Sequence, residues 1–131
     1  MRTIEQILRE SKTIAVVGLS SNPERSSFGI AEALQHRGYR IIPVNPRETE
    51  VLGEKAYPDL ESIPEKIDIV DVFRRSEETP EIARSSVKIG AKALWLQSGI
   101  SNDEAEQIAK AGGLDVVMDH CIMVEHRKLR L

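Results

Sequence analysis

Five apolar runs, TIAVVGL (13–19), YRIIPVNP (39–46), IDIVDVF (67–73), AKALWLQ (91–97) and LDVVMD (114–119), are separated from one another by polar, amphipathic stretches. A shorter run, EKAYP (54–58), reads as a further strand, the third in chain order. Strands that alternate with helices cannot close as hairpins. They pair in parallel through right-handed crossovers, which places helices on both faces of one sheet. The spacing predicts a single α/β domain over residues 1–131, with strand order 3-2-1-4-5-6.

The helices have their own signals. TIEQILRE carries Ile4, Ile7 and Leu8 on one face behind Thr3 as N-cap, and Ile30, Ala31 and Leu34 share a face between Ser26 and Arg37 before a stop at Gly38. DLESIP reads as one turn capped by Asp59. SEETPEIARSSVKIG runs from Ser76 to Gly90, and SNDEAEQIAKAGG has Ser101 or Asn102 as cap, acids in its first turn and Gly112 and Gly113 at its close.

A chain of 131 residues buries roughly two-thirds of its unfolded surface and has no room for a second catalytic domain. No apolar run reaches the ~20 residues of a membrane helix. The opening MRTIEQILRES has acids and no apolar core, so a cytoplasmic protein is expected. Cys121 is the single cysteine, and with His36, His120 and His126 scattered it makes no metal-ligand spacing; no metal site is expected. A net charge of −3, with two Phe, two Tyr and one Trp for base stacking, argues against nucleic acid as a partner.

Ligands of such sheets bind at the carboxyl ends of the strands, where the strand order reverses. That edge is written in GLSSNPERSS, VNPRE, VFRRSE, LQSGIS and MDHC. A dinucleotide site has Gly-x-Gly-x-x-Gly in the first loop and an acid after the second strand. Here Gly18 is followed by Leu19, Ser20 and Ser21, and the second strand ends Val44-Asn45-Pro46-Arg47. Backbone N–H groups and the helix start at Ser26 still suit a phosphate. Arg47 in place of the acid favours a phosphorylated ribose, as in NADP or coenzyme A, over the bare diol of NAD.

The motifs VVGLSSNPERSSFGIA, IIPVNPRE, VLGEKAYPDLESIP, DIVDVFRR, ALWLQSGI and MDHCIM together resemble the stand-alone CoA-binding domain family. These are small Rossmann-like proteins similar to the N-terminal domain of the succinyl-CoA synthetase alpha subunit. The resemblance implies coenzyme A as cofactor. Gly18, Ser20 and Ser26 would line its pyrophosphate, and Asn45, Pro46 and Arg47 would frame the adenosine end. Val72, Phe73 and Arg74 would wall the adenine and ribose, with Gln97, Ser98 and Gly99 beneath the pantetheine arm. His120 stands where relatives often carry an arginine.

No catalytic set is expected. Asp68 and Asp71, three apart on a strand, face opposite sides of the sheet. Cys121 and His120, read as strand neighbours, also diverge. Trp95 reads as core, His36 as a helix-end charge and His126 as part of a basic tail, EHRKLRL. The expected function is non-enzymatic binding of CoA or an acyl-CoA. The alternatives are a small NADP-dependent oxidoreductase, against which Tyr39 and Tyr57 read as distant from the edge, and the CoA-binding subunit of a split acyl-CoA ligase, with a partner chain.

Overall fold

A computed structural model describes residues Met1–Leu131. The elements in chain order are α1 (Ile4–Glu10), β1 (Thr13–Val17), α2 (Ser26–His36), β2 (Arg40–Val44), β3 (Glu50–Val51), β4 (Glu54–Lys55), β5 (Ile69–Val72), α3 (Thr79–Lys88), β6 (Ala93–Leu96), α4 (Asp103–Ala111), β7 (Asp115–Val117) and α5 (Ile122–Leu129). Single 3-10 turns at Leu60–Ser62 and Ser76–Glu78 precede β5 and α3. Thr3, Asp59 and Asn102 accept backbone N–H bonds as caps, as their sequence positions predict.

The sheet is five-stranded and parallel in the order β2-β1-β5-β6-β7. Ile14 is level with both Ile41 and Ile69, and Leu94 with Val70 and Val116. Sequence reading expected a further strand beyond β2, and that strand is absent. Leu52 and Gly53, both at positive φ, instead fold Glu54–Lys55 back on Glu50–Val51 as an antiparallel hairpin. Pro58, with no N–H to give, follows directly, so the run contributes one parallel bridge, Tyr57 to Val44.

Both sheet faces are covered, which is why β1, β5 and β6 are buried along almost their whole length. Ile7, Leu8, Leu34, Ile122 and Met123 from α1, α2 and α5 pack on Ile14, Val16, Ile69 and Trp95. Ala83, Ala105 and Ala109 from α3 and α4 pack with Leu60 on Ala15, Val70, Leu94 and Leu96. Trp95 is core, and its indole N–H also donates to the His120 carbonyl at 2.8 Å.

The basic tail is a helix. Ile122, Met123, His126 and Leu129 recur at helical spacing and turn inward, while the intervening charges hide the stripe from composition. His126 is 4% exposed, edge-on to Tyr39 at 5.8 Å, whereas His36 is exposed as read.

Gly112 closes α4 at φ −85, where any residue fits the backbone, but a Cβ there would lie 2.5 Å from Val87 Cγ2 and 3.1 Å from Val87 Cβ on α3. Val87 is β-branched and has no free rotamer to yield. Gly112→Ala is expected to lower stability by about 1–3 kcal/mol in urea unfolding, and by much less in a Val87→Ala background. Equal losses in both backgrounds would show that the contact is not the cause.

Candidate functional site

α2 leaves β1 toward one edge of the sheet and α3 leaves β5 toward the other, so the crossovers diverge between β1 and β5. A cleft of 790 Å³ lies at that point. Gly18 sits at its base with φ +88, its N–H donating to the Val44 carbonyl at 2.8 Å. A Cβ on Gly18 would stand 2.6 Å from the Phe73 carbonyl oxygen. Only glycine allows the first loop this close to β5.

The loop from Ser20 to Arg25 is braced internally. Ser20 N–H donates to Ser27 Oγ at 3.1 Å, Asn22 N–H to Ser20 Oγ at 3.1 Å and Glu24 N–H to Asn22 Oδ1 at 2.9 Å. Two residues of the next loop hold it from outside: Ser21 N–H donates to Glu48 Oε2 at 2.8 Å, and Asn45 Nδ2 donates to the Leu19 carbonyl at 3.1 Å. α2 then opens without a side-chain cap, which leaves its first N–H groups directed at the cleft.

Arg25, Arg47, Arg74 and Arg75 all line this cleft. They are not equivalent. Arg74 donates to Glu78 Oε1 at 2.7 Å, and Arg75 reaches Glu78 and Glu77 at 3.5 and 3.3 Å. Hydrogen bonding from Arg74 first, then from the Arg75 backbone and side chain, holds the Glu78 carboxyl below the usual carboxylate range. Arg25 and Arg47 enter no ion pair. They are the cations open to an anion.

Of the residues singled out from sequence, Gly18, Ser20, Ser26, Asn45, Arg47, Phe73, Arg74, Gln97 and Ser98 line the cleft. Pro46 faces a second cavity of 400 Å³, which shares Gly18, Arg74 and Glu78 with the first. Val72 is wholly buried in the core. Gly99 lies outside the lining, its N–H donating to Asp119 Oδ1 at 2.6 Å. Sequence reading did not select Ser27, Ile30, Glu48, Glu78 or Ile100, which also line the cleft. Ile30 and Ile100 carry no chemical signature, and Glu48 and Glu78 are recognisable only through the partners they hold.

Cys121 also lines the cleft, as the N-cap of α5. Neither it nor His120 belongs to a strand, so their divergence has another cause. Nδ1 of His120 lies 3.5 Å from Glu125, with the ring half exposed and outside the cleft lining. Asp68 precedes β5, where its Oδ2 accepts the Lys12 and Thr13 N–H groups at the amino edge, while Asp71 is buried within the strand. Tyr39 bonds the Leu8 carbonyl. Tyr57, read as distant from the carboxyl edge, in fact has its backbone against the end of β2, accepting the Asn45 N–H at 2.9 Å. Its ring packs on the core.

No group of three His, Cys, Asp or Glu side chains is placed to hold a metal, and no helix is long and apolar enough to cross a membrane.

A family model described as a CoA binding domain matches residues 12–127. The chain is 50% identical over 123 residues to an uncharacterized protein, YneT, of Bacillus subtilis, covering 94% of this chain and 91% of that one. A solved structure of a hypothetical protein from Pyrococcus horikoshii superposes with a TM-score of 0.94 at 41% identity, covering 98% of this chain and 90% of that one. The chain is also 29% identical over 101 residues to an ADP-forming acetate–CoA ligase of Archaeoglobus fulgidus. That match covers 76% of this chain but 15% of the ligase.

Proposed function

The chain belongs to the CoA binding domain family, and from that premise we propose that it holds coenzyme A or an acyl-CoA across the carboxyl edge of the sheet and does not turn it over. The observation that carries this reading is the meeting, in one cleft, of the glycine-dependent approach at Gly18, the uncapped start of α2 and the unpaired cations Arg25 and Arg47. Gly18, Ser20 and Ser26 take the pyrophosphate. Asn45, Pro46 and Arg47 take the phosphorylated ribose, and Phe73 and Arg74 stand against the adenosine. Gln97 and Ser98 lie under the pantetheine arm.

Binding without turnover is supported by the lack of convergence around Cys121. Its chain neighbour His120 is turned to Glu125, so no base stands ready to take a proton from the thiol. We assign the protein to the cytoplasm.

The test is Arg47→Ala. The Arg47 N–H donates to Asn45 Oδ1 at 3.0 Å, which fixes the backbone while the guanidinium stays free. A charge-assisted contact to the 3′-phosphate is worth roughly 1.5–3 kcal/mol, so the variant is expected to weaken CoA about tenfold or more and to leave dephospho-CoA almost unchanged in calorimetry. Equal weakening of both would move the contact to the pyrophosphate. No weakening of either would make Arg47 a solvated surface charge.

The ligase relative supports a second reading, in which this chain is the CoA-binding part of an acyl-CoA ligase and works with a partner chain. Co-purification of an ADP-forming ligase chain at fixed stoichiometry would favour it, and a tagged protein that elutes alone with CoA binding intact would not.

A further inference from the structure

Asp71 is the one fully buried acid of the parallel strands, at the centre of β5, level with Val16 on β1 and Trp95 on β6. Its Oδ1 accepts from Gln97 Nε2 at 2.5 Å, and its Oδ2 is buried with no partner. Gln97 is itself 4% exposed and lies on the cleft floor. Its Oε1 accepts the Ile122 N–H, the first of α5, at 3.4 Å. The backbone N–H of Ile122 can only donate, so it fixes the Gln97 amide with its NH₂ toward Asp71. One hydrogen-bonded chain therefore runs from the core carboxyl through the cleft floor to the start of α5.

We propose that Asp71 is a positioning residue that acts through Gln97 and couples binding of an anionic ligand in the cleft to uptake of one proton by the core. The inference rests on the cleft holding the phosphates of a CoA-type ligand. A pyrophosphate held at Gly18, Ser20 and Ser26, in the same cleft that Gln97 floors, brings negative charge toward a carboxylate in low-dielectric surroundings. That penalises the ionised form and favours the neutral one. Burial already pushes the Asp71 carboxyl up to about 7, against a smaller opposing effect of the Gln97 bond, so the extra push acts where both forms are populated.

Few other groups compete for this role. β1 and β6 present only Val16 and Trp95 beside it. On the helices over that face, α1 carries Glu5, Arg9 and Glu10, α2 carries Glu32 and His36, and α5 carries Glu125, His126, Arg127 and Lys128, with Cys121 at its start. None of them is among the causes that move Asp71. Glu48 and Glu78 line the cleft but are held by the Ser21 N–H and by Arg74, and His120 faces Glu125.

The experiment uses dephospho-CoA, which lacks the 3′-phosphate monoester that itself titrates near neutrality. Calorimetry is run from about pH 6 to about pH 8.5 in buffers of different ionisation enthalpy. The wild type is expected to take up protons on binding and to lose about threefold or more in affinity as the pH rises across this window. Asp71→Asn and Asp71→Leu are expected to bind with a flat pH profile and no uptake, while His120→Asn keeps the wild-type slope. A purely structural Asp71 would change affinity alike at every pH and is excluded by a change of slope. Binding with the same uptake in the wild type and in Asp71→Asn, or with none in the wild type, overturns the coupling and leaves the ligand reading intact. No binding to the wild type at any pH overturns both.

Discussion

Gly18→Ala is expected to lose about 3 kcal/mol or more of stability and, where it still folds, all measurable CoA binding. Two costs coincide. The backbone at φ +88 strains any L side chain, and the new methyl would sit 2.6 Å from the Phe73 carbonyl oxygen and 3.0 Å from Arg74 Cδ. The arginine can swing aside; the carbonyl follows directly on β5 and cannot. Relief would have to come from β1 and β5 moving apart at the point where the cleft forms. Gly99→Ala is the control, since φ is +81 there but nothing lies within 4 Å of the added Cβ. It should cost only the strain, about 1–2 kcal/mol. Guanidinium unfolding of the two variants separates the terms, and losses of equal size would show that the approach to Phe73 is slack.

The contrast shows what a sequence can disclose about such a site. GLSSNPERSS after an apolar run marks a strand-to-helix turn that needs a glycine, and its Gly18, Ser20 and Ser26 line one cleft. The sequence does not disclose which of four arginines has its charge already answered. Arg74 and Glu78 form an i,i+4 pair that is visible only once Ser76–Glu78 is known to be a 3-10 turn running into α3. The missing edge strand has a similar cause: Leu52 at positive φ is not a residue that announces a hairpin, so EKAYP reads as a strand in its own right. α5 was obscured by its charges, and with it went the geometry of Cys121, which sits at a helix start and not on a strand. Local turn chemistry and apolar runs are written in order along the chain, whereas ion pairing and helix docking depend on residues the fold brings together.

Arg74 and Glu78 also divide the carboxyl edge. Both belong to the 790 Å³ cleft and to the 400 Å³ cavity beside it, so their ion pair stands between two chambers. The larger chamber holds the unpaired cations and the helix start, and suits the charged parts of a ligand. The smaller, with Val17, Val44, Pro46, Leu60 and Ile82 in its wall, suits a flat apolar group. A ligand with an anionic centre and an aromatic end matches both, which is why Pro46 retains a place in the proposed site although it does not face the main cleft.

The largest pH effect on the fold itself is expected from Asp71. Its carboxyl is near 3.8 when exposed to water and is raised to about 7 by burial in the folded protein, opposed in part by Gln97. Between these values the folded state holds a proton that the unfolded chain has released, so stability from this group is intact below the lower value and is lost as pH rises to the upper one. The loss is on the order of 4 kcal/mol. Glu65 and Glu78, held low by Arg40 and Arg74, act in the opposite direction at acid pH, so the wild-type profile alone is ambiguous. The difference between wild type and Asp71→Asn removes them. Asparagine keeps an acceptor for Gln97 Nε2 and carries no charge, at a cost of about 1–3 kcal/mol for an amide left partly unsatisfied where Oδ2 has no partner. Near pH 4 the variant should therefore be less stable than the wild type, and above pH 7 the order should reverse, with urea midpoints crossing between. A difference that stays constant across the range would mean that the folded Asp71 carboxyl is ionised there just as the unfolded one is, and the proton coupling through Gln97 would fall with it.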